Sequence, residues 1–493
     1  MIGYYIAQKE SFYSQARYVF QFFSRALGLR FVETNKENLN SDEFRVIVIY
    51  GSTIPSSVKK DRPVILISQT QYGEHRVTVS DVKKLQSVGP LKPPSLYSLF
   101  HHMLPVLEQS LYRDTRSNQI YISRDSSRIH ISVDIPATCF YFLSLANERR
   151  TAERDSFGRF QKASSPLGQR IYEYPIVDRY LLLLRNLLIS LHPPRSLKSI
   201  WPKNHSFAVA LSHDVDRIRT WTARKIRRNL RSHNTLSSFP QRLMGVVKSL
   251  ATTENWRGNF NFITQLESSY DVSSTFFLVA KQRHPLDPGY NLTSSNLKQA
   301  FSCINSFGSD IAVHGTIPSA SAPGYLEEEI KRLQLHSNRA ILGGRQHYLC
   351  YSQETLQFWI DCGLKYDSTL GFSDDIGYRC GTTFPFYLHD GNQESPIVEL
   401  PLILMDTVLF LESKQFLNAQ QAWEIVLNAL QETRDNHGVL TVNWHNSDLH
   451  PVDSLGYSQL YILLMSWAKD NGGWVTSLDK LYEWWSGNGT RPR

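Results

Sequence analysis

Apolar positions along the chain fall into two alternating patterns, short β-branched runs and longer stretches with helical spacing. Tyr13–Leu27 carries apolar residues at helical intervals, and RVIVIYG (residues 45–51) and PVILIS (residues 63–68) have the length and branching of buried strands. DIPATCFYFLSLANER (134–149) reads as a helix with an apolar face. The polar stretch RDSFGRFQKASSPLG (154–168) then precedes a second helix, YPIVDRYLLLLRNLLISL (174–191). Residues 192–206, HPPRSLKSIWPKNHS, are Pro-rich and polar and read as a linker. Beyond them the pattern changes. Strand-like runs at residues 207–216, 273–280, 310–315, 340–345, 365–371, 397–404, 438–446 and 474–478 are separated by amphipathic stretches such as YLEEEIKRLQLHSN (325–338). That alternation predicts βα units around a parallel sheet or barrel. No short-period repeat is visible.

Composition narrows the class. At ~150 residues per domain, 493 residues make two to four domains. With 41% apolar, 20% charged and 12% aromatic residues the chain is globular and neither disordered nor low in complexity. We divide it into an N-terminal α/β accessory domain (1–195), a linker (196–206) and a C-terminal domain (207–493). The net charge of +8 is mild, and its one concentration is Arg217, Arg219, Arg224, Lys225, Arg227, Arg228 and Arg231. This reads first as a solvated helical face, second as a peripheral contact with an anionic glycan carrier or membrane surface. No nucleic-acid recognition motif accompanies it, so nucleic acid is not an expected partner. Five cysteines without C-x-x-C spacing argue against a disulfide framework. The first residues lack a basic start followed by an apolar run, and no apolar stretch approaches the ~20 residues of a membrane span. The expectation is a cytoplasmic protein.

Polar residues gather where the strands of the second region finish. Asp214 and Asp216 follow AVAL, His314 follows DIAV, Arg345 follows AILGG, Asp367 follows LKY and His445 follows VLTVNW. Singly, each residue reads as a helix cap or a core histidine. Together they occur at the same point of separate βα units, the active face of a barrel. Two carboxylates in D-x-D repel unless a cation lies between them. Asp216 and His314 offer ligands suited to a divalent ion, zinc first, with cobalt or nickel as alternatives. Asp214 would take a proton from water, Arg345 would hold Asp214 ionised, and His445 would protonate a leaving amine with Asp367 fixing its tautomer. This constellation describes metal-assisted hydrolysis of a C–N or ester bond.

SHDVD, HGT, GGRQHY, YDSTLGF and VNWHN stand in the order and approximate spacing of the five motifs of polysaccharide deacetylases, carbohydrate esterase family 4. The resemblance covers about residues 205–485 and looks closest to the subgroup with D-x-D and R-Q-H-Y. It implies a distorted (β/α)7 barrel that removes acetyl groups from glycans with a divalent metal. Carried over, Asp214 matches the base, Asp216 and His314 match metal ligands, and His445 matches the acid. Arg345 and Asp367 match the arginine and aspartate of motifs three and four. The N-terminal region resembles the domain preceding such deacetylases in some bacterial glycan loci. One departure matters: the family's second motif has another histidine four residues after the first, where this chain has Pro318. His347, where the family usually has Pro, is our expected third ligand, with a substrate contact as its other reading; His213 is the second candidate.

Smaller roles go to Tyr348, whose backbone N–H is a candidate oxyanion donor, and to Glu399 and Asp406 as residues lining the substrate cleft. The glutamate and aspartate read equally as structural salt bridges. Trp444, Trp474, Trp484 and Trp485 are read as core before sugar-stacking surfaces. The expected function is deacetylation of amino sugars in a cell-surface polysaccharide or its lipid-linked precursor. The alternatives are an amidohydrolase acting on a non-carbohydrate C–N bond and a non-catalytic glycan-binding protein on a degenerate barrel.

Overall fold

The computed structural model describes residues 1–7, 12–69, 76–81, 85–88, 103–108, 120–192, 199–218, 226, 240, 243–244, 246–247, 259–410, 417–450 and 456–488. Of the basic cluster, only Arg217 belongs to these; the other six residues lie outside them.

In the N-terminal half, Tyr13–Leu27 is helical because Ala16, Val19, Phe20, Phe23 and Ala26 share a buried face. Gly28 ends this helix in a left-handed conformation, φ 61°, and donates to the Arg25 carbonyl. Val46–Tyr50 and Val64–Ile67 are buried at every position, as strands covered on both faces must be. They lie inside a seven-stranded sheet in the order Phe31–Glu33, Ile2–Ile6, Val46–Tyr50, Val64–Ile67, Arg128–Ile131, Ile120–Asp125 and Leu85–Val88. The helix expected at 134–149 is two, Ile135–Leu143 and Ala146–Arg150, because Leu145 adopts left-handed backbone at φ 56°.

The second half carries a ten-stranded, curled sheet. Its order is Phe386–His389, Glu394–Glu399, Tyr366–Asp367, Gly343–Gln346, Asp310–Gly315, Thr275–Leu278, Phe207–Val215, Val439–Asn443 and Leu402–Met405. Gly473–Ser477 pairs with residues 207–211 of the long strand, while Thr275–Leu278 pairs with residues 212–215. All pairings are parallel except that of Phe386–His389 with Glu394–Glu399. The single strand expected at 397–404 is two. Pro401 lacks the N–H a ladder needs, and the segments on its two sides go to different places in the sheet. Gly344 permits a close strand approach; a Cβ there would lie 2.5 Å from the Val313 carbonyl oxygen.

One continuous apolar cluster joins the two halves, and the Tyr172 and Phe372 rings meet in it at 5.2 Å. Polar ties cross the same contact. Arg379 donates twice to Glu148, and Asp178 accepts from the Thr382 hydroxyl and from the Thr383 N–H and hydroxyl. The described end of the expected linker is packed: Trp201 is 2% exposed and stacks on Phe384 and Trp485. Among the described residues, no helix is long and apolar enough to cross a membrane.

Candidate active site

Phe207–Val215 is buried at all nine positions and ends at the D-x-D pair. Residues i and i+2 of a strand share a face, so Asp214 and Asp216 point the same way while His213 points oppositely. His213 lies within the core, its Nδ1 2.7 Å from the Trp444 carbonyl oxygen and its Nε2 2.9 Å from Glu267 Oε1. It is therefore no candidate for the cluster at the strand end.

Asp214 is enclosed. Arg345 Nη1 donates to Oδ1 at 2.8 Å, and the Asn443 side chain donates to Oδ2 at 2.8 Å. Asn443 Oδ1 accepts the Asp214 N–H at 3.0 Å, so one side-chain amide grips both ends of the residue. Burial pushes the Asp214 carboxyl upward, but Arg345, His314 and His445 outweigh it and hold the group below the usual range. Arg345 is fully buried and is itself fixed by the Ser368 carbonyl at 2.9 Å, by the Ser368 and Ser212 hydroxyls at 3.0 Å each, and by the Phe277 ring.

Asp216 is held differently. His314 Nε2 and His347 Nε2 face its Oδ1 at 3.6 and 3.5 Å, and His445 Nε2 faces its Oδ2 at 3.6 Å. These separations are too long for good hydrogen bonds. Asp216 Oδ1 and His314 Nε2 are buried without a hydrogen-bond partner among the described residues. One ligand atom each from Asp216, His314 and His347 lies within 4.8 Å of the others. Both imidazoles are oriented from behind, His314 Nδ1 by the Arg345 carbonyl at 2.9 Å and His347 Nδ1 by Asp287 at 3.1 Å. Each Nδ1 is thus committed as a donor, and in the neutral imidazole each Nε2 is left with the lone pair, the arrangement of metal-binding histidines. The donor set and its orphaned atoms fit a divalent cation. Burial lowers the His347 pKa, but Asp216 and Asp287 overcome that and lift it to about 9. Negative charge dominates the cluster and draws positive charge into it.

His445 stands across the site. Its Nδ1 lies 2.6 Å from Asp406 Oδ1, and its backbone N–H donates to Asp406 Oδ2 at 2.8 Å. Burial lowers its pKa, but Asp406 first, then Asp216 and Asp214, raise it to about 10. The expectation that Asp367 orients His445 is corrected here, because Asp406 takes that place and is not itself a cleft-lining group. Asp367 accepts from the Thr369 N–H at 2.9 Å and from its hydroxyl, and opposes Glu399 across neighbouring strands. Glu399 is also no cleft residue, being fully buried and accepting from the Leu370 N–H at 3.0 Å. Burial raises both carboxyls, Asp367 to about 7, and Asp367 raises Glu399 further.

Tyr348 follows His347 at the rim, 36% exposed, in left-handed backbone at φ 59°. Pro318 sits in the short turn Ile317–Ala320. Trp444 and Trp485 are core residues, at 0% and 1% exposure. Asn443, Asp287 and Asp406 are the supports that sequence reading missed or misassigned. Only Asn443 carried a local signal, standing two residues before His445 in VNWHN.

A protein family described as "Family of unknown function (DUF7033)" matches residues 4–193. No curated protein sequence matches the chain. Similar solved structures include a candidate polysaccharide deacetylase from Mycobacterium smegmatis, 19% identical over 59% of this chain and 94% of that one, with a TM-score of 0.40. An allantoinase is 14% identical over 61% of this chain and 97% of its own, also at 0.40. A probable polysaccharide deacetylase from Pseudomonas aeruginosa PAO1 has the same identity, coverage and TM-score as the allantoinase.

Proposed function

We propose that the chain is a metal-dependent hydrolase that removes acetyl groups from amino sugars of a cell-surface polysaccharide or its lipid-linked precursor. The observation that carries the reading is the convergence of Asp216, His314 and His347 beside two separately supported groups, Asp214 on Arg345 and His445 on Asp406. Asp216, His314 and His347 would hold a divalent ion, zinc first, which when bound would supply Lewis-acid polarisation of the acyl carbonyl and acidify water. Asp214, kept ionised by Arg345, accepts the proton that water gives up as its oxygen bonds to the acetyl carbon. The C–N bond then breaks, and His445 donates its Nε2 proton to the departing nitrogen while Asp406 holds Nδ1. Acetate and the free amine leave, and the proton on Asp214 returns the balance to His445 through solvent. The amino-sugar class comes from the five-motif resemblance.

The test pairs elemental analysis with acetate release. Protein purified without added metal or chelator is expected to hold near-stoichiometric divalent ion, lost in His314→Ala and His347→Ala. Asp214→Asn is expected to keep the ion while acetate release from N-acetylated oligosaccharides falls roughly 10²–10⁴-fold. No bound metal after reconstitution, or unchanged turnover in Asp214→Asn, overturns the reading.

A further inference from the structure

The turn at residues 155–159 comes from the N-terminal half, yet it reaches the rim of the site. Asp155 organises it: Oδ1 accepts the N–H groups of Phe157 and Arg159 at 2.9 Å each, and its carbonyl accepts the Gly158 N–H at 3.0 Å. Arg159 is locked to the same carboxylate, with Nε at 2.7 Å and Nη2 at 2.6 Å from Oδ2. The remaining arm of the guanidinium, Nη1, donates to the Tyr348 carbonyl at 2.7 Å. The Phe157 ring stacks on Tyr348 at 4.6 Å and 29°. Tyr348 in turn meets the His347 ring edge-on at 4.7 Å. The chain on either side of the turn is anchored to the second half: Lys162 bonds Asp375 at 2.8 Å and the Ile376 carbonyl at 3.1 Å, and Glu148 holds Arg379.

What the turn grips is unusual backbone. Tyr348 and the buried Leu349 are consecutive non-glycine residues in the left-handed region, at φ 59° and 54°. A side chain disfavours that conformation, so it persists only where surrounding contacts enforce it. Asp287 fixes the tilt of the His347 ring but does not hold the backbone beyond it. Arg159, through a carbonyl bond, and Phe157, through the stacked ring, do.

We propose that Phe157 and Arg159 are positioning residues for His347: the N-terminal half completes the metal site by clamping the left-handed Tyr348–Leu349 step behind that ligand. The inference rests on the metal-site reading above and assigns a task to a segment otherwise remote from the chemistry. Contacts that orient a metal ligand typically change ion affinity by roughly 10–100-fold when removed.

Cobalt(II) serves as the probe, titrated into metal-stripped full-length protein and followed by its visible absorption. Arg159→Ala and Phe157→Ala are each expected to weaken cobalt binding on the order of 10-fold or more and to alter the absorption band. Arg159→Lys, which keeps the charge and one donor, is expected to fall between Arg159→Ala and the unaltered protein. Should Arg159→Ala fail to fold, the partly exposed Phe157→Ala carries the same reading. His347→Ala separates the two levels of the argument. If the unaltered protein binds cobalt no better than His347→Ala, His347 is not a ligand, and the clamp falls with that part of the metal-site reading. If it binds better, but Phe157→Ala and Arg159→Ala match it in affinity and spectrum, the clamp alone is overturned.

Discussion

The tie between Glu148 and Arg379 sets how firmly the two halves of the chain hold together. Arg379 Nε and Nη2 each donate to a separate oxygen of Glu148 at 2.7 Å, and Nη1 donates to the Gly371 carbonyl at 3.0 Å. The side chains are 2% and 10% exposed, so water cannot replace either partner. Glu148→Gln keeps the volume but removes the charge and turns an amide N–H₂ towards a guanidinium donor. A buried cation left without its counter-charge costs about 3–5 kcal/mol, and each buried donor left unmade accounts for about 1–3 kcal/mol of that. Replacing both residues with apolar ones of similar size, Glu148→Leu with Arg379→Met, removes the desolvation penalty together with the attraction. That double variant leaves only the Gly371 carbonyl without its donor, so it should lie within about 1–3 kcal/mol of the unaltered protein and above Glu148→Gln. Guanidinium denaturation followed by the fluorescence of the chain's 10 tryptophans measures both variants against the unaltered protein. A Glu148→Gln variant within about 1 kcal/mol of the starting protein, or a double variant as unstable as the single one, refutes the reasoning.

Two other outcomes follow from buried groups. Asp406→Asn removes the charge behind His445 Nδ1, so kcat should fall roughly 10²–10⁴-fold with bound metal unchanged; near-normal kcat would return the orienting role to another residue. His389 is buried between Tyr18 and Phe140, its Nδ1 accepts the Gly391 N–H at 3.0 Å, and burial lowers its pKa to about 4. The unfolded chain takes up this proton near the ordinary histidine pKa of ~6.5, before the folded chain does. The stability that a neutral His389 lends is therefore present above about pH 6.5 and lost as pH falls towards 4, which a series of melting curves would show and His389→Gln should flatten.

The polar residues at the strand ends were legible because each follows its own apolar run, and the run fixes both the element and the end at which the side chain appears. Asp406 was misassigned for a topological reason. Residues 397–404 read as one strand, so nothing indicated that Leu402–Met405 would cross to the edge of Val439–Asn443 and bring Asp406 under His445. Asp287 was invisible because it lies in a loop whose local pattern signals only a turn. The contact of Arg159 with Tyr348 joins positions 189 residues apart, and periodicity carries no information at that range. The helix at 134–149 failed locally instead: its apolar face continues through Leu145, but the backbone there turns left-handed.

The two carboxylates of D-x-D leave the same strand on the same face, yet their surroundings divide them. Asp214 has a donor on each oxygen, Arg345 on one and Asn443 on the other, so the protein supports its charge while lone pairs remain to take a proton. Asp216 has three imidazole nitrogens at 3.5–3.6 Å and no partner on its buried Oδ1 among the described residues. Burying a carboxylate oxygen without a partner is expensive, and nearby imidazoles offset that only when they carry protons. A site arranged merely to be stable would have paired both carboxylates as it pairs Asp214. With one oxygen unmet, the chain has at that point the acceptor that a bound cation requires. His347 Nε2 stands 3.5 Å from that oxygen and within 4.8 Å of the His314 ligand nitrogen.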